Sequence, residues 1–112
     1  MQAEDRIRLQ HMIEATQAAL RFVSGRQRID LDNNQMLLFA VLRAIEIVGE
    51  AASRVSIEAR NRSPDIPWPA IVGMRNRVVH AYFSIDSDIV WITVTRELPQ
   101  LLPVFEAALI DL

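Results

Sequence analysis

From about Asn33 to Asn61 apolar side chains recur with a helical period. Leu37, Val41, Ala44, Ile45, Val48, Ala51, Ala52 and Val55 make one broad stripe, and Leu38, Leu42 and Ile47 widen it. A helix this apolar over so much of its circumference has two homes. It lies at the centre of a bundle, or it gives part of its surface to a second subunit. Gly49 sits in its middle beside Ala51 and Ala52. Glycine there costs about 1 kcal/mol relative to alanine, a cost that close approach of a neighbouring helix offsets.

The flanking segments follow the same period. Leu9, Ile13, Thr16, Leu20 and Val23 line one face of a first helix spanning about Glu4 to Ser24, and Gly25 stands where a left-handed cap ends it. Asp30 and Asp32 are candidate caps for the long helix. Three prolines in RSPDIPWP break the chain, the third near the first turn of a helix running from about Trp68 to His80. A connector YFSID then leads to a last helix capped by Asp86 or Ser87, with Pro99 and Pro103 set to kink or divide it. The β-branched run VWITVT has no partner of similar character, so no strand is expected. The predicted fold is all-α, a four- to five-helix antiparallel bundle, with residues 1–112 as a single domain.

Composition narrows the setting. No apolar stretch approaches the roughly 20 residues a membrane span requires, and MQAEDRIRLQ does not read as a secretory signal. With no cysteine there are no disulfides, zinc–cysteine sites or thiolate nucleophiles. A cytoplasmic protein without a membrane partner is expected. Net charge is −2, so no global field attracts nucleic acid, and all 12 basic residues are arginine. An arginine-biased coding sequence accounts for that; guanidinium forks also suit bidentate phosphate recognition. Either way, an RNA-binding surface has to be a local arginine patch.

Chemistry concentrates in MRNRVVHAYFSID, which places Arg75, Asn76, Arg77, His80 and Tyr82 within eight positions. An arginine five residues before a histidine arises by chance about 0.2 times in such a chain; adding the asparagine and the tyrosine lowers this to about 10⁻⁴. On a regular helix Asn76 and His80 are about 40° apart, whereas Arg75 and His80 are about 140° apart and do not converge. Two arrangements bring them together. The helix ends near His80 and the imidazole swings back, or a twofold axis pools two arginines and two histidines in one cleft. The surplus apolar surface of the long helix favours the second.

These residue types suit cleavage of RNA by its own 2′-hydroxyl. Histidine, with an ordinary pKa of about 6.5, serves as acid or base near neutrality. Arginine offers forked donors to the phosphorane oxygens, and Asn76 can orient the imidazole or hold a phosphate oxygen. No metal or cofactor is expected. Glu46 and Glu50, with Arg43, share a helix face and read as a salt-bridged polar stripe rather than a metal site, one that could also hold Arg75 across a cleft. Arg60, Arg62 and Arg77 are candidates for a phosphate-tracking rim or an ordinary solvated surface. His11 is expected to face solvent, and Trp68 and Trp91 to anchor the core or an interface.

MRNRVVHAYF resembles the RxxxxHxY signature of HepT-like toxins, within the HEPN (higher eukaryotes and prokaryotes nucleotide-binding) superfamily. HMIEATQAALRFVSG, RAIEIVGEAASRVS, PDIPWPAIVGMRNRVVHAYFSID and VWITVTRELPQLL are each similar to family stretches, so the likeness covers nearly the whole chain. The resemblance implies a helical homodimer acting as a metal-independent ribonuclease on an RNA substrate, with Arg75 and His80 as the catalytic pair. It further implies a cognate minimal nucleotidyltransferase antitoxin that transfers AMP to Tyr82. The competing reading is a non-catalytic helical adaptor that presents a nucleotide or substrate to a nucleotidyltransferase.

Overall fold

A computed structural model describes residues 2–80 and 84–111. Helix α1 (Ala3–Val23) opens the chain with Glu4 and Asp5 in its first turn, where carboxylates suit the helix dipole. It buries Leu9, Met12, Ile13, Thr16 and Ala19. Gly25 follows with φ +73°, the left-handed conformation that the sequence pattern requires there. A single turn, α2 (Asp30–Asn33), tucks Leu31 inside. Neither Asp30 nor Asp32 caps the next helix. Asp30 instead accepts from the amide of Gln27 at 2.7 Å, and the cap of α3 (Gln35–Ser53) is Asn34, whose side chain accepts from the amide of Leu37 at 3.0 Å.

Periodicity alone carries the second long helix to Asn61, but α3 stops at Ser53 and a separate helix, α4 (Ile57–Arg62), begins after Ser56. Ser56 is held from two sides. Its hydroxyl accepts from the amide of Ala59, while its own amide and hydroxyl donate to Asp5, each at 2.8 Å. Asp5 is only 4% exposed, so α1 starts beside the end of α3 and the two are antiparallel. Arg60 then closes the frayed end of α3 by donating to the carbonyls of Ala52, Ser53 and Val55, with its guanidinium 5.7 Å from the Trp68 ring centre. Arg60 is therefore a structural staple rather than part of a phosphate-tracking rim.

The third helical segment is also divided, into α5 (Trp68–Val72) and α6 (Met74–Val78) joined at Gly73. It does not reach His80. Val78 and Val79 are β-branched, and the chain passes into a two-residue antiparallel ladder, β1 (Val79–His80) with β2 (Ser84–Ile85). The amide of Asp86 closes the hairpin on the Val78 carbonyl at 2.7 Å, taking an acceptor the helix end would otherwise leave open. This ladder corrects the expectation of no strand; the run VWITVT is indeed helical.

Asp86 caps α7 (Ser87–Ile92) by accepting from Ile89. A wide π turn, Thr93–Glu97, joins it to α8 (Leu98–Ile110). Pro99 has no N–H to return to the turn before it, and the widened turn is where the predicted break falls. Helices α1, α3, the α5–α6 rod and the α7–α8 rod form the bundle, with α3 central to both α1 and α5–α6. The fold is all-α, as expected, apart from that short ladder. No helix among the described residues is long and apolar enough to cross a membrane.

The molecule is only 19 Å through its thinnest dimension, about two helix diameters. Part of α3 is therefore left uncovered. Along the uncovered face run Met36, Phe39, Arg43, Glu46, Glu50 and Ser53, spaced three or four residues apart. Met36 is 84% and Phe39 51% exposed, so the stripe is apolar at one end and charged at the other.

Candidate active site

Met74 and Val78, one helical turn apart, bury the inner face of α6 in the core. Arg75, Asn76 and Arg77 are thereby turned outward. The rod that carries them can lie this close to α3 because of Gly49. A β-carbon at that position would stand 3.2 Å from the Ile71 carbonyl oxygen and 3.4 Å from that of Val72. The close approach read from the mid-helix glycine is thus present, and the neighbour is α5.

Between the rod and α3 lies an open groove of about 440 Å³, lined by Glu46, Gly49, Glu50, Ser53, Val72, Arg75 and Asn76. Arg43 sits 3.7 Å from Glu46 and 3.4 Å from Glu50, the salt-bridged stripe expected from the sequence. Both carboxylates are thus partly committed to Arg43. Among the described residues the Arg75 side chain makes no ion pair or hydrogen bond, so its forked donors face the groove unspent. Arg75 and Asn76 have what an oxyanion requires: a fixed positive charge, several N–H donors, and an amide beside them.

Arg77 is elsewhere. Two residues along a helix is a rotation of about 200°, and Arg77 forks onto Glu97 in the π turn, with Nη1–Oε1 at 3.1 Å and Nη2–Oε2 at 2.8 Å. That hydrogen bonding holds the Glu97 carboxyl below its ordinary pKa and raises that of Arg77 further. The pair fixes the outer side of α6 to the α7–α8 rod and lines a different hollow from Arg75 and Asn76. His80 leaves the helix altogether. Its backbone pairs with Ser84, so Asn76 and His80 do not share a helical face, and the 140° that separates Arg75 from His80 on a regular helix does not apply. Tyr82 lies outside the described residues. Sequence reasoning missed the Arg77–Glu97 fork, which joins positions 20 residues apart, and the part that Ser53 and Val72 play in lining the groove.

Elsewhere the side chains fall as their types suggest. His11 is exposed, Trp68 is buried and donates to the Ser63 carbonyl, and Trp91 packs partly buried against the core. Among the described residues no group of three or more His, Cys, Asp or Glu is placed to hold a metal ion.

The class that this all-α fold fits is the helical bundle of HEPN-type proteins. Residues 12–108 match the family model described as "Ribonuclease HepT-like", and the chain belongs to this HepT-like family. It is 33% identical over 93 residues to the Methanocaldococcus jannaschii protein named "Putative RNase MJ1380", covering 83% of this chain and 85% of that one. A second protein of that organism, "Putative RNase MJ1216", is 30% identical over 104 residues, covering 93% and 86% of the two chains. "Probable ribonuclease HepT" of Thermococcus cleftensis is 41% identical over 68 residues, covering 61% and 62%. No solved structure matches significantly.

Proposed function

We propose that the chain, acting as one domain over residues 1–112, is a metal-independent endoribonuclease of the cytoplasm and the toxin of a toxin–antitoxin pair. The observation that carries the reading is Arg75, its side chain uncommitted among the described residues, beside Asn76 in a groove against α3, five residues before His80, in a chain of the "Ribonuclease HepT-like" family. RNA lies with its scissile phosphate at Arg75. An imidazole of His80 takes the proton of the 2′-hydroxyl as the O2′–P bond forms. The P–O5′ bond breaks, and O5′ leaves with a proton from a second acid, leaving a 2′,3′-cyclic phosphate. The guanidinium of Arg75 balances the charge of the phosphorane, and Asn76 holds a phosphate oxygen or the imidazole.

The protein works as a homodimer, in which two copies of His80 supply base and acid. Support for the dimer comes from the bare stripe of α3, whose exposed Met36 and Phe39 adjoin the polar half that borders the groove. Arg77 contributes at one remove, through the fork to Glu97 that fixes α6. The antitoxin is a minimal nucleotidyltransferase that moves AMP from ATP to the phenolic oxygen of Tyr82, releasing pyrophosphate. Bulk and negative charge two residues from His80 then oppose a phosphate.

The test is cleavage of RNA by purified protein in EDTA. Arg75→Ala and His80→Ala are each expected to lower the rate by 10²-fold or more, and growth arrest on expression without the antitoxin should disappear in His80→Ala. Loss of cleavage in chelator, or full activity in either variant, would refute the reading.

A further inference from the structure

The charged ridge of α3 has a second side. Toward α1 it borders a shallow hollow of about 190 Å³, to which Arg8 and His11 contribute from α1, Arg43 and Glu50 from α3, and Arg54 from the cap that ends α3. Arg8 and His11 are one turn apart on the same face, and Arg43 and Arg54 stand about 16 Å apart along the axis. Among the described residues the side chains of Arg8 and Arg54 make no hydrogen bond or ion pair, and Arg43 is shared between Glu46 and Glu50. Glu50 is the sole carboxylate of the hollow among the described residues, and it also lines the Arg75 groove. The two depressions therefore meet across one helix. In a chain of net charge −2, three arginines against one carboxylate there make the local positive patch that a polyanion needs.

The geometry points to the α1–α3 hollow as a second phosphate-contacting surface, on which Arg8, Arg43 and Arg54 hold the backbone of the single-stranded RNA whose scissile bond sits at Arg75. This assignment rests on the ribonuclease reading for the direction of the strand. Guanidinium forks suit phosphate oxygens, and the shallow, open form of the hollow suits a flexible backbone better than an enclosed small molecule. Contiguity with the Arg75 groove favours RNA over an acidic protein as the occupant.

The test measures binding apart from cleavage. A fluorescent 2′-O-methylated oligoribonucleotide, which cannot be cut by its own 2′-oxygen, is titrated with wild type and with Arg8→Gln/Arg54→Gln in a KCl series. Each phosphate contact to a single strand contributes about 0.7 to the salt slope of log affinity. The double variant should lose about 1.4 of that slope and about tenfold in affinity. Arg8→Lys/Arg54→Lys should recover most of the slope. Arg26→Gln, just past the far end of α1, should match wild type. Circular dichroism of the double variant, Arg54 being exposed and Arg8 half-buried with its head group at the hollow, should be that of the wild type.

No binding by wild type, or wild-type affinity and slope in the double variant, would overturn the assignment, as would loss of an acidic protein partner with RNA affinity intact. Cleavage of natural RNA is followed separately. Binding that depends on Arg8 and Arg54 without any cleavage refutes the ribonuclease reading and leaves the surface standing. Cleavage with no such dependence does the reverse.

Discussion

Gly49 is where fold and site are joined, and its replacement by valine tests that joint. Alanine alone would place a β-carbon 3.2 Å from the Ile71 carbonyl oxygen and 3.4 Å from that of Val72, a shortfall of a few tenths of an ångström. Against it stands a gain of about 1 kcal/mol in helix propensity, so Gly49→Ala should fall within about 1 kcal/mol of wild type. Valine adds two methyl groups toward backbone that cannot rotate away, and α5 has to move. Overpacking of this kind costs about 1–3 kcal/mol, and valine recovers less of the helix propensity than alanine does. At about 4 °C per kcal/mol for a domain of this size, Gly49→Val should melt roughly 4–12 °C lower. Because α5 carries α6 with it, Arg75 should also draw back from Glu46 and Glu50. RNA cleavage should therefore fall by at least tenfold at temperatures where the variant is still folded. Thermal melts by circular dichroism and cleavage rates well below the melt check the two halves. A Gly49→Val protein as stable and as active as wild type would refute the close packing of α5 on α3.

Other packing contacts make sharper, smaller predictions. Asp5→Ala leaves the half-buried amide and hydroxyl of Ser56 without their carboxylate and should cost about 2 kcal/mol in denaturant unfolding. Arg60→Ala frees three carbonyls at the end of α3 and uncovers Trp68, costing about 1–2 kcal/mol; Arg60→Lys, lacking the fork, should recover less than half. Glu97→Gln should cost about 0.5–1 kcal/mol at neutral pH, since both side chains of the pair are more than a third exposed. The Glu97 carboxyl is held below its ordinary pKa by Arg77, so the pair's contribution is complete above the unfolded value of about 4.3. It is lost as pH falls through the lowered folded value. The gap between urea melts of wild type and Glu97→Gln should hold constant above the unfolded value and shrink steadily as pH falls below it, and a gap that stays constant into acid would contradict the assignment.

What the sequence discloses divides along the range of the interactions. Helices α1 and α3, the left-handed Gly25 and the close approach at Gly49 follow from spacing and residue type, because each rests on side chains within a few turns. The breaks do not. Val55 and Ala59 continue the apolar period past Ser53, and the interruption depends on Asp5, 51 residues from Ser56. The end of α6 before His80 depends on pairing with Ser84–Ile85, a segment too short to show a strand pattern. In the site, Arg75 and Asn76 were legible as members of one short motif, and Glu46 and Glu50, with Arg43, as a salt-bridged stripe that could face Arg75 across a cleft. Arg77 appeared to belong with them by proximity in sequence. Helical rotation sends it to the opposite side, and Glu97 has no local signature to reveal the fork.

The most direct measurement is the chemistry of the RNA ends. A defined oligoribonucleotide is cut in EDTA, its fragments are weighed by mass spectrometry, and the substrate is then remade with a single 2′-deoxy substitution at the cut. Attack by the 2′-oxygen between Arg75 and His80 predicts 2′,3′-cyclic phosphate and 5′-hydroxyl ends, and no cleavage of the deoxy substrate. Fragments bearing 5′-phosphate and 3′-hydroxyl ends, or undiminished cutting at the deoxy position, would contradict the account.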